Sequence, residues 1–499
     1  MKKMTLKMWL LGGFVAIASL CATSCAEGAD CDERFDAGVN NAQLESPVID
    51  LSCFESIANA DGSETVKFTW PVVMGAGGYE VKVANVNDPA NPVYLVDTLI
   101  DGQTVTFAKT EDTSYDVAVR TLGNEKRNNK EASAASVYAY STWAPMIDVP
   151  AGAELSAFVA ANIIEPEDAD LGQGFRLAAG AEYTIEAPVD FNLYNMTLLG
   201  DANNRPIVKV KGDGCLMTQA GLKVKYISFD CTEMTELGLI TMHSTPDESI
   251  STTTLGFKED GANQDAYHVK KPIILNGCWV KNLPHGIIYD NQQPYAIWDL
   301  RIQDCLVQLC NTGGNAILNL YKKGKSIKDM LIENCTMYNT SHNNSAYFIR
   351  YNNASNSQPK KVYGDANAKS THKWYNNTFA KTFSGKDFGN NTTQQNVFFI
   401  YMENNNFYDV FRLYQYLHNN TKRYTTNNAL CYKDGSPQSN DYGGRTDSDG
   451  KPYTTLEETP FFNEPEGGFP ALDLTQPNGG VNFKATGALS STIGDPRWL

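Results

Sequence analysis

The chain has 499 residues, of which 42% are hydrophobic and 20% charged, and its formal net charge is −16. That apolar content excludes a mostly disordered chain, and an acidic protein without a Lys/Arg-rich stripe is not built to take nucleic acid as its main partner. The length suits either several ordinary domains or one small domain followed by one long repetitive one.

In chain order, Lys2, Lys3 and Lys7 precede an apolar run from Met8 to Leu20. The run is too short to span a bilayer and reads as a secretion signal over residues 1–24. Ala22-Thr23-Ser24-Cys25 resembles a bacterial lipobox, with Cys25 as the lipidated first residue of the mature chain. Cleavage removes three lysines and no acid, so the mature protein is more acidic still. Residues 25–44 are polar and form a tether. The membrane is then met only through the lipid anchor.

Residues 45–142 alternate in short runs, among them Val66–Trp70, Tyr79–Val83, Val93–Val96, Val105–Phe107 and Tyr115–Arg120. Gly77-Gly78, Asp101-Gly102 and Gly123-Asn124 punctuate them. A period of two with such turns predicts antiparallel strands with one buried face, and about seven of them make a β-sandwich. The order resembles a fibronectin type III domain. Trp70 then fills the core from the second strand, Tyr79 opens the third, and Tyr115 begins the sixth at a tyrosine-corner position.

From residue 150 to 499 the sequence repeats. Ile227-Ser228-Phe229-Asp230-Cys231, Ile274–Cys278, Leu300–Cys305, Leu331–Cys335, Trp374–Asn377 and Ile400–Asn405 share one pattern. It is an apolar strand, a polar or Gly bend, a Cys or Asn, then an apolar residue two positions on (Val280, Val307, Met337, Phe379, Phe407). The period of 27 to 30 residues, where no insertion intervenes, is that of a solenoid of short strands. Stacking predicts an internal ladder of Cys231, Cys278, Cys305, Cys335, Asn377 and Asn405, with the cysteines as small core residues and not redox groups. The expected fold is all-β: a fibronectin type III-like sandwich followed by a parallel β-helix. Residues from Ala151 to Lys225 supply first coils or a cap, and the tail from Ala471 to Trp498 is expected to fold across the last coil and close it.

The lipobox-like Cys25, the sandwich, the Cys/Asn coils and the closing Gly494-Asp495-Pro496-Arg497-Trp498 together resemble Bacteroidetes surface lipoproteins that pair the domains of unknown function DUF4957 and DUF5123. The resemblance implies a right-handed β-helix of the pectate-lyase type. It also implies lipid anchoring in the outer membrane with exposure at the cell surface, and work beside an outer-membrane glycan transporter. It brings no agreed catalytic motif, and the closing motif has a structural role.

Sites on β-helices lie on outer strand faces beside long insertions, here His243–Tyr267, Asn339–His372 and Tyr432–Glu464. Tyr289, Tyr321, Arg350 and Arg412 are the substrate-binding candidates, because aromatic rings stack on sugars and guanidinium groups pair with carboxylates or sulfates. For β-elimination on a uronate, His285, Lys281 and Arg301 are the candidate base and clamp. The spacing implies no metal or cofactor, although Asp290, Asp304 and the acids near Asp260 leave Ca²⁺ as a candidate ligand. The Asp pair wanted by a polygalacturonase-type hydrolase is absent. The favoured reading is polysaccharide binding; a polysaccharide lyase and a purely structural or adhesive lipoprotein are the alternatives.

Overall fold

The computed structural model describes residues 38–499 apart from 60–63, 342–345, 354–356, 391–395, 414, 432–445, 458–461, 463 and 487–491. Cys25, the signal and most of the tether lie outside the described residues. The chain divides between Trp143 and Ala144 into two units.

The first unit is a two-sheet sandwich. Phe54–Ala58, Glu64–Thr69 and Thr104–Lys109 form one antiparallel sheet; Val93–Ile100, Tyr79–Asn85, Ser114–Thr121 and Ser136–Ser141 form the other. The alternation decides which side chains meet inside: Val66, Phe68, Trp70, Tyr79, Val81, Val83, Phe107, Tyr115, Val117 and Val119 make the core. Trp70 directly follows the second strand, and its ring lies 5.5 Å from Tyr79 in an edge contact. The Tyr115 hydroxyl accepts from the Thr110 backbone N–H at 2.8 Å, five residues upstream, which is the tyrosine corner.

The second unit is a stack of coils. Its strands form parallel sheets of eleven, ten and six strands, each strand paired with its counterpart one coil on, the arrangement typical of a right-handed β-helix. The strand Met146–Val149 already pairs in parallel with Gln173–Leu177, so the coiled region begins before residue 150. Helix Leu155–Asn162, capped by the Glu154 carboxylate accepting from the Ser156 and Ala157 N–H groups, sets Leu155 and Val159 into the first end of the core. Without a cover, the open end of a solenoid would leave that apolar face in water.

From Tyr226 onward successive coils turn a corner on a residue in the left-handed region: Tyr226, Gly277, Asp304, Asn334, Asn376, Asn404 and Asn427 all have φ between 53° and 61°. Gly, Asn and Asp tolerate that conformation best, which explains the polar bend in the repeat. The next residue points inward and forms the ladder. Cys305 N–H donates to the Cys335 Sγ, Cys335 N–H to the Asn377 Oδ1, Asn377 N–H to the Asn405 Oδ1 and Asn405 N–H to the Asn428 Oδ1, at 3.1 to 3.4 Å. Burial holds the Cys278 and Cys335 thiols well above their ordinary pKa, so they stay protonated.

Register corrects the ladder at its first rung. Lys225 aligns with Asn276 and Ser228 with Trp279, so the partner of Cys278 is Ile227. Cys231 is buried farther along the strand Ser228–Met234. The bend there is Tyr226 instead of Gly or Asn, which hides the coil from a pattern search. Asn428 adds a rung at the other end.

The described residues of the tail do not lie across the last coil. They run along the outer face of the ten-stranded sheet, where Phe469, Leu472, Val481, Phe483, Ile493 and Trp498 cover Leu306, Tyr338, Ala380, Tyr408 and Ala429. These strands alternate, with Val307, Met337, Phe379 and Phe407 inside. Their outer face is also apolar and needs a second cover. The insertions 243–267 and 339–372 meet beside the eleven-stranded sheet, where the Asn263 and Gln264 N–H groups both donate to the Lys361 carbonyl.

Candidate functional site

Six register-matched positions make one outward column on the six-stranded sheet: Asp190, Met217, Thr241, Tyr289, Asn319 and Arg350. The column is largely shut in its middle, because Thr241 is 1% exposed and Tyr289 and Asn319 are 4% exposed. Tyr289 therefore has almost no ring surface free for stacking. Burial, with Asp290 and Glu236 nearby, raises its phenol pKa and keeps it neutral.

The column opens at Arg350, on the strand Ile349–Tyr351. Its guanidinium carbon lies 3.4 Å from the centre of the Tyr321 ring and 5.2 Å from that of Tyr347. Tyr321 is 36% exposed. The turn that presents Tyr321 is held from below and beside. The Asp290 carboxylate accepts from the Lys323 and Gly324 N–H groups at 3.1 and 2.9 Å. The Asn352 amide donates to the Tyr321 and Lys322 carbonyls at 3.0 and 2.9 Å. Asp290 is thus fully used by backbone and fits no cation role. Among the described residues no cluster of three His, Cys, Asp or Glu could hold a metal.

Arg350 forms no ion pair with a carboxylate among the described residues, and its buried Nε has no hydrogen-bond partner there. In an acidic protein that is an unneutralised positive charge. One coil on, Gly389 bridges Ile349, and Asp387 bridges Arg412. These coils enclose an open pocket of about 440 Å³ lined by Tyr347, Gly385, Lys386, Asp387, Asn390, Phe411, Arg412 and Gln415. Arg412 reaches the Asp387 carboxylate through both Nε and Nη2, and Lys386 Nζ lies 6.0 Å from the Tyr347 ring centre. Arg412 lines this pocket, and Arg350 with Tyr321 stands next to it through Tyr347, which lines the pocket and lies 5.2 Å from the Arg350 guanidinium. Tyr347 and Lys386 complete the patch and escaped the sequence reading, because both stand beside coil insertions where the period gives no register.

The three candidate catalytic groups stand on different faces. Lys281 is in the ten-stranded sheet and pairs with Asp230 at 3.2 Å. Arg301 is in the eleven-stranded sheet and pairs with Asp299 at 2.6 Å. His285 lies before the strand Gly286–Tyr289 of the six-stranded sheet, with Asn315 Nδ2 3.5 Å from its Nδ1. Burial lowers its pKa and favours the neutral imidazole. Sheet membership separates Lys281 and Arg301 from the Arg350 patch.

Comparison with known families gives two matches. Residues 181–340 match the model of DUF4957, a domain of unknown function. Residues 2–177 match the model of DUF4992, also a domain of unknown function. The pairing with DUF5123 rests on the sequence resemblance alone. The chain has no match among curated proteins. The DUF4957 match falls within the coiled region of stacked parallel sheets.

Proposed function

We infer that this is a polysaccharide-binding protein of a glycan-utilisation system, held at the outer-membrane surface through Cys25 and presenting its β-helix to an anionic, uronate-containing or plant-type polysaccharide. The observation that carries this is Arg350: a guanidinium beside two tyrosine rings, with no acid to neutralise it among the described residues. Rings offer a surface for sugar C–H groups, and the guanidinium edge suits a carboxylate. Lys386 adds positive charge near it, 6.0 Å from the Tyr347 ring centre. An outer-membrane glycan transporter is the expected partner.

The test is binding of the full chain to a panel of uronate-rich, sulfated and neutral polysaccharides by affinity electrophoresis and titration calorimetry. Arg350→Ala is expected to weaken binding by about ten- to a hundredfold, the worth of a charge-assisted hydrogen bond. Lys281→Ala and Arg301→Ala, on other sheets, are expected to leave it unchanged. Equal binding by wild type and Arg350→Ala would remove the reading. The lyase alternative is followed in the same samples through ultraviolet absorbance of the unsaturated product. Of the three candidates only His285 adjoins the six-stranded sheet that carries Arg350, so product formation abolished by His285→Ala would favour it.

A further inference from the structure

We propose that the Arg350 site holds a chain end or a short branch of the glycan, about one or two sugar units, and not the interior of an extended chain. This rests on the glycan-binding reading above and specifies its mode.

The outward column of the six-stranded sheet sets the first constraint. A β-helix presents outward positions about 4.8 Å apart, one per coil, and a strip of accessible positions along several coils would accept an extended polysaccharide. This column does not offer one. Thr241, Tyr289 and Asn319, the three positions before Arg350, are at most 4% exposed. The Asp290-anchored turn that carries Tyr321 stands beside Arg350. A chain laid along the axis would find no contact surface on three successive coils.

Charge gives an independent reason. The early end of the column begins at Asp190, which is bound to His243 at 3.1 Å. Glu236 acts on both His285 and Tyr289 farther along. Among the described residues of the column, Arg350 carries positive charge with no carboxylate partner, and Lys386 stands near it, 6.0 Å from the Tyr347 ring centre. A polyuronate lying along the column would bring carboxylates toward Asp190 and Glu236, where repulsion opposes binding. A single acidic unit entering at Arg350 stays clear of Asp190 and Glu236, and the one carboxylate lining the pocket, Asp387, is paired with Arg412.

The pocket has matching dimensions. Its volume of about 440 Å³ is near the lower end of the ~300–1,000 Å³ range for a site enclosing one small ligand. Tyr347, Phe411 and Arg412 are among its lining residues, and Arg350 stands beside it, 5.2 Å from the Tyr347 ring centre. An anionic sugar would place its carboxylate against the Arg350 edge and its ring in the pocket.

Calorimetric titration with oligogalacturonates of increasing length tests this, beside glucuronate-capped and sulfated oligosaccharides of matched length. The expected result is affinity that rises from one unit to two and then stays flat, with Lys386→Ala and Arg350→Ala weakening every length by a similar factor. A steady gain with each added unit, as in an extended groove, would overturn the proposal while leaving glycan binding intact. Binding of none of these sugars, nor of the polysaccharide panel, would overturn the functional reading and this inference with it. The variants are checked for folding by their thermal transitions, and His243→Ala, distant in the column, is expected to bind as wild type does.

Discussion

The Arg350 guanidinium lies 3.4 Å from the Tyr321 ring centre and 5.2 Å from that of Tyr347, so its planar shape matters as well as its charge. Lysine supplies charge without the planar fork. Arg350→Lys is therefore expected to lose most of the wild-type affinity for an acidic sugar while keeping more of it than Arg350→Ala. Titration of the two variants against the same ligand checks the order; equal affinity of Lys and Arg would show that charge alone suffices. Tyr321, Arg350 and Arg412 were legible in the sequence because basic and aromatic residues recur on successive coils. What the sequence could not show is accessibility: Tyr289 fits the same pattern and the same column, yet neighbouring turns bury it. Nor could it show that Lys281 and Arg301 are occupied by Asp230 and Asp299 on other sheets, since a strand reveals its two faces but not which of three sheets it joins.

Among the elements, the corner and its ladder were the most legible feature, and their chemistry explains why. The bend requires a left-handed backbone and the rung requires a small or amide side chain, so each coil prints Asn, Asp or Gly followed by Cys or Asn. Ile227 after Tyr226 breaks both preferences, and the pattern therefore slipped to Cys231. The amide rungs do more than fill space. Asn405 Oδ1 accepts from both the backbone N–H and the amide of Asn377, while its own Nδ2 donates to the Trp374 carbonyl at 2.8 Å. Asn405→Ala would leave these groups buried without partners, at about 1–3 kcal/mol each. Asn405→Cys, which copies the Cys335 rung, is expected to be milder because a thiol can still accept weakly from the Asn377 N–H. Denaturant midpoints should rank wild type above Cys and Cys above Ala. At the preceding corner type, Gly277 has φ of 61°, and a Cβ there would come within 2.5 Å of the Tyr226 ring. Gly277→Ala is expected to lower the melting temperature, and pairing it with Tyr226→Ala should recover part of the loss.

The whole molecule depends on surfaces that the repeat pattern left out. The sequence located the tail but not its course, because a cap at the end and a strap along the side both need apolar residues with no period. Its anchor is Thr336, whose hydroxyl donates to Asp495 and accepts from the Trp498 indole N–H, both at 2.7 Å. Acid sensitivity also belongs to this scale. His268 is buried between Thr252 and the Trp298 indole, and His372 between the Tyr351 and Tyr416 hydroxyls. Burial lowers their pKa values from 6.5 to about 3 and about 4. The folded state therefore holds both rings neutral, whereas the unfolded chain takes up a proton on each as pH falls below 6.5. Their stabilising effect is complete above that value and declines as pH falls toward 4, with a limiting slope of about 1.4 kcal/mol per pH unit for each histidine. Asp290 and Asp495, whose pKa values burial raises, act in the opposite sense, so the histidine contribution must be isolated by difference. His268→Gln and His372→Gln should each lower stability at pH 7 by removing a buried partner and flatten its dependence between pH 7 and 5.5. Urea unfolding of the full chain across that interval measures the slope. A slope unchanged in both variants would show that other groups carry the acid response.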